Sequence, residues 1–151
     1  MYQGQIAYRK ILRHVNLDLI EYGRLMDCTI SFIRSEILPM AKLAHVGKSR
    51  LNKINGYVDA ASNFLRGNIS VAELEKNQKQ AWRDYDASEK YEDYRNLIRL
   101  LVCCLYEKDP ESEMYGIEML VELFVSCIED VNASFCNKYA NYVIKYFKKA
   151  D

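Results

Sequence analysis

Apolar residues recur at intervals of three and four along nearly the whole chain, and no stretch shows the strict alternation of a half-buried strand. Ile6, Ile11, Leu12 and Val15 approximate one helical face and predict a first helix over about 3–14, which either breaks at Asn16 or runs on. Leu19, Ile20, Tyr22, Leu25, Met26, Thr29, Ile30, Phe32, Ile33 and Ile37 predict a second over 17–38, with Pro39 marking its end or a kink. A third follows over 51–66 on Leu51, Ile54, Val58, Ala61, Phe64 and Leu65, with Gly67 placed to turn the chain through positive φ.

Ser70 followed by Glu73 forms a capping box and opens a fourth helix reaching about Tyr85. Its apolar stripe is narrow: Val71, Leu74, Ala81, Trp82 and Tyr85, interrupted by Asn77 and Gln78. So little apolar area predicts a place on the outside of a bundle, with Trp82 packed inward beside Leu74 and Tyr85 or else presented to a partner beside Arg83. Tyr91, Tyr94, Leu97, Ile98, Leu101, Val102 and Leu105 give a strongly amphipathic fifth helix, which the turn EKDPESE ends. With Ser112 as a cap, residues 114–131 are apolar around most of the circumference and predict a central helix; a last one follows over 133–149. The expectation is an all-α fold of six or seven helices in one domain, 1–151, consistent with only two prolines and six glycines.

Composition adds two features. Tyrosine occurs 12 times against five phenylalanines and one tryptophan, a bias that suits half-exposed positions and partner surfaces as well as core edges. The formal charge of zero conceals an asymmetry: residues 1–60 hold nine Lys/Arg against five acids, and residues 101–151 hold five lysines against nine acids. Such polarity steers an oppositely charged partner or draws the two ends together within the fold.

Catalytic chemistry finds no foothold. The two histidines, His14 and His45, lie in basic surroundings without a nucleophile motif, and GxSxG, HExxH, glycine-rich phosphate loops and CxxC are all missing. Cys103 and Cys104 are neighbours that diverge by about 100° on a helix and do not converge easily on one metal. The five cysteines form no framework spacing, and the N-terminus lacks an apolar signal core, so a reduced cytoplasmic location is expected. No apolar run reaches 18 residues and no lipidation motif occurs, which argues against a membrane role. Arg9, Lys10, Arg13, Lys48, Arg50 and Lys53 form a modest basic set, and the acidic second half would repel phosphates, which disfavours nucleic acid. Neither cofactor nor metal is expected.

Two acidic surfaces remain as candidates. If the sixth helix reaches back to Glu111, then Glu111, Glu118, Glu122 and Glu129 fall within roughly 40° of one another and form a stripe, either a solvated face or a docking face for a basic protein. The second is the turn after Trp82, where Asp84, Tyr85, Asp86, Tyr91, Asp93 and Tyr94 mix carboxylates with tyrosines.

The segment FLRGNISVAELEKNQKQAWRDYD followed by YRNLIRLLVCCLYE resembles small helical bacterial immunity proteins, which neutralise secreted toxins in contact-dependent growth inhibition and related polymorphic toxin systems. The shared features are the glycine turn, the ISxxEL helix start, the AW pair and a following helix with an arginine and a Cys-Leu ending, within residues 64–107. The resemblance implies a non-catalytic inhibitor that covers the active site of a cognate toxin, and an acidic face would suit a basic nuclease. A helical adaptor or regulatory protein that binds another cellular protein is the alternative, with a nucleic-acid-binding protein behind it.

Overall fold

The computed structural model describes residues 2–40, 46–107 and 116–148. Among these the chain forms seven helices and no strand: α1 Gln3–His14, α2 Tyr22–Phe32, α3 Lys48–Leu65, α4 Val71–Ala87, α5 Glu92–Val102, α6 Ile117–Val131 and α7 Phe135–Lys148. The all-α expectation holds. Glu111, Ser112 and His45 lie outside the described residues.

Local chemistry sets the boundaries. After α3, the Asn68 N–H donates to the Asn63 carbonyl and the Gly67 N–H to that of Phe64, a Schellman ending that needs the positive φ of Gly67, 76°. Ser70 Oγ then accepts the Glu73 N–H at 3.2 Å and starts α4. The long second helix expected from residue 17 is instead divided. Asn16 Oδ1 accepts the Asp18 N–H at 3.2 Å and holds Leu17–Leu19 as a single 3₁₀ turn, after which Ile20 is extended. An asparagine side chain that bonds the backbone two residues on competes with the helix, and here it wins over apolar periodicity.

At the far end, α2 widens into a π turn over Ile33–Ile37 and a last turn Leu38–Met40. The Leu38 N–H reaches back five residues to the Ile33 carbonyl. Pro39 next to it lacks an N–H, and its ring would crowd the Ser35 carbonyl in a regular helix, so the wider turn relieves the clash.

Helix α6 is central, as its apolar circumference predicts: it packs on α1, α5, α7 and the 3₁₀ turn, and buries Leu120, Val121, Phe124, Val125, Cys127 and Ile128. Helix α2 bridges α3 and α7, while α4 packs chiefly against α3 and α5 and buries only Leu74, Ala81 and Asp84. In the α2–α7 contact the fully buried Phe32 meets Tyr139 and Tyr142 edge-on, with centroids 5.2 and 5.4 Å away. One turn before it, Thr29 Oγ1 and the Tyr139 hydroxyl share a buried hydrogen bond of 2.9 Å. Among the described residues no helix is long and apolar enough to cross a membrane.

Candidate docking surfaces

Trp82 is half-buried and serves as an anchor. Its ring stands edge-on to Tyr85 with centroids 5.6 Å apart, and its Nε1 donates to the Tyr106 hydroxyl at 3.3 Å. The Tyr106 carbonyl in turn accepts from the Tyr22 hydroxyl at 2.9 Å, so the outer helix α4 is linked to α2 through the segment that follows α5. Two guanidiniums cover the same rings: Arg95 lies 4.0 Å from the Tyr85 centroid and Arg99 lies 5.3 Å from that of Trp82. These aromatic faces already have cationic partners within the chain.

The turn after Trp82 separates into exposed and buried residues. Asp86 and Asp93 are exposed, and Tyr91 is 48% exposed with Arg50 stacked on its ring at 3.8 Å. Asp84 and Tyr94 are buried, which removes them from a docking surface. The Asp84 carboxylate accepts from the Tyr57 hydroxyl, from Lys53 Nζ at 3.3 Å and from Gln80 Nε2 at 3.4 Å, an internal hub joining α3 to α4. Burial, with Asp84 nearby, pushes the Tyr94 phenol up to about 12. A groove of about 270 Å³ opens beside these residues, lined by Val46, Arg50, Lys90, Tyr91, Glu92 and Tyr94, where both signs of charge occur.

The acidic stripe on α6 divides in the same way. Glu129 turns toward α1, where its carboxylate accepts the Gly4 N–H at 2.6 Å. Gly4 is the second residue of α1, so its N–H is one of the donors a helix start leaves unpaired, and the negative charge also suits the dipole there. A Cβ on Gly4 would sit 3.1 Å from Glu129 Oε2 and 3.2 Å from Val125 Cγ1, which explains glycine inside a helix. Glu129 is therefore a structural acid. Substituting Glu129→Ala should cost about 1–2 kcal/mol in chemical denaturation; an unchanged midpoint would contradict this capping role.

Glu118 and Glu122 stay exposed, beside Tyr8 of α1. The Tyr8 phenol is raised above its ordinary value by burial and then by these two carboxylates. A groove of about 210 Å³ runs between the helices, lined by Tyr2, Gly4, Gln5, Tyr8, Glu122, Val125, Ser126 and Glu129, and Tyr2 at its mouth is 74% exposed. Met119, 42% exposed, adds apolar area next to Glu118. Tyr2 and Tyr8 are thus brought to the acidic face by the packing of α1 on α6; periodicity within either helix gave no sign of it. The one local signal was Gly4, whose missing side chain permits the approach.

The remaining chemistry is local. His14 is exposed and its Nδ1 donates to the Lys10 carbonyl at 2.9 Å, one turn back. Among the described residues no three His, Cys, Asp or Glu side chains are placed to hold a metal. Together these features define an all-α protein with a carboxylate–tyrosine face between its first and sixth helices. Compared with known proteins, the chain matches no family model, no curated protein and no solved structure.

Proposed function

We propose that this chain is an immunity protein that neutralises a basic toxin protein, docking through the α1–α6 face and covering the toxin's active site or substrate surface. The observation that carries the reading is the exposed pair Glu118 and Glu122 set beside Tyr8, with Glu122 and Tyr8 lining an open groove. Paired carboxylates steer a basic partner during encounter, and tyrosines supply rigid area with little ordering cost once it arrives. The likeness of residues 64–107 to helical immunity proteins supports the toxin as that partner. Five free thiols suit the reducing cytoplasm where such an inhibitor would wait.

Reversing both charges, Glu118→Lys with Glu122→Lys, should slow association with the toxin about tenfold at low salt, and the effect should shrink at high salt. Stopped-flow binding to a basic toxin recovered as the native partner by pull-down from the source cell measures it, with protection of cells from that toxin as the biological readout. An association rate unchanged at low salt would exclude this face. A partner that is not a toxin would favour the adaptor alternative.

A further inference from the structure

The five cysteines are not equivalent. Cys103 is the C-cap that follows α5, and its Sγ lies 4.0 Å from Cys127 Sγ on α6. Arg99, one turn earlier, places Nη1 3.0 Å from the same Cys103 sulfur while its guanidinium lies over Trp82. Cys104 and Cys136 instead lie at backbone carbonyls, with Sγ 3.8 Å from the Leu100 oxygen and 4.0 Å from the Val125 oxygen.

The sulfur pair is asymmetric. As a thiol, Cys103 donates to the Arg99 carbonyl at 3.4 Å; as a thiolate, it would accept from the guanidinium and from the Cys127 S–H. The hydrogen bond to Cys103, followed by burial, raises the Cys127 thiol well above its ordinary value and keeps it protonated. Burial opposes the charge on Arg99, and the Cys103 and Cys127 sulfurs outweigh it, raising that group too. A cation beside one sulfur of a touching pair is the arrangement that makes a reactive thiolate and a resolving thiol.

We propose that Cys103 and Cys127 form a peroxide-reactive dithiol, with Cys103 the nucleophile, Arg99 its positioning cation and Cys127 the resolving thiol. The Cys103 thiolate attacks hydrogen peroxide: an S–O bond forms, the O–O bond breaks, and the departing hydroxide takes up a proton as water. The Cys127 sulfur then attacks the sulfenic acid, the S–S bond forms, the S–O bond breaks, and the hydroxyl leaves with the Cys127 proton as a second water. Two thiols are oxidised by two electrons and one peroxide is reduced. Cys103 is only 5% exposed, which selects a small neutral oxidant over a bulky disulfide such as oxidised glutathione. The bond would tie the end of α5 to the middle of α6.

The full chain, folded and reduced, is treated with a slight excess of hydrogen peroxide, then unfolded for thiol titration and mapped as non-reduced peptides. The titre should fall from five thiols to three, with Cys103 joined to Cys127. In Cys127→Ser the same treatment should leave a sulfenic acid on Cys103 that dimedone traps. Arg99→Gln should slow the crosslink about tenfold, and Arg99→Lys should restore much of the rate. Five thiols surviving, a different pair joined, a dimedone adduct on Cys104, faster crosslinking by oxidised glutathione, or an Arg99→Gln rate equal to the parent's would each overturn the assignment.

Discussion

Phe32→Ala is expected to lower the unfolding free energy by about 3–5 kcal/mol, the largest single loss anticipated for this chain. The ring is fully buried and its two edge-on neighbours, Tyr139 and Tyr142, both belong to α7. Truncation therefore removes transfer energy and two aromatic contacts, and leaves a cavity beneath the start of the π turn. The turn itself is constrained by Pro39, so the backbone has little freedom to collapse into the space. For a chain of this length the loss corresponds to a fall in melting temperature of roughly 10 °C. Phe32→Leu keeps most of the volume and should cost about 1 kcal/mol. Urea denaturation of the three proteins tests both figures; a loss below about 1 kcal/mol for the alanine variant would mean that the α2–α7 contact repacks.

The second large effect is expected at Asp84. Substituting alanine should cost about 2–4 kcal/mol, because the hydroxyl of Tyr57, a residue only 5% exposed, loses a charged acceptor and has little water to replace it. Lys53 contributes less to this figure, since half of its side chain is exposed and the freed ammonium can be hydrated. Asp84→Asn retains an oxygen acceptor and should lose about 1 kcal/mol. Because the carboxylate faces inward, neither variant should alter association with a partner once folded. A change in association rate without a change in stability would reverse that conclusion and return Asp84 to the surface.

That reversal would restore what the turn's composition suggested, and the reason it misleads is instructive. Acids and tyrosines between Asp84 and Tyr94 look like a surface when counted by type. Their helix positions indicate otherwise: Asp84 falls three residues after Ala81 and ten after Leu74, on the same inward face, and Tyr94 begins the stripe continued by Leu97, Ile98 and Leu101. The burial was therefore legible, and periodicity outweighs residue type where the two conflict. The Gly67 stop and the Ser70 cap were legible because each acts within a few residues. The break at Asn16 was hidden by apolar spacing that continues through it, and only the asparagine side chain marked it. Glu129 was beyond reach, since its role depends on a glycine 125 residues away.

That last separation bears on how the molecule is made. Helix α1 packs on α6 and α7, and Lys10 Nζ reaches Asn137 Oδ1 across 127 residues. During synthesis the first helix thus emerges long before any of its partners exist, and at about 5–20 residues per second it waits on the order of ten seconds. Alone it is too short to persist as a helix in water. Helices α3, α4 and α5, which pack on one another, can meet earlier, so the nascent chain is expected to gain structure from its middle outward and to close only when the last helix has left the ribosome.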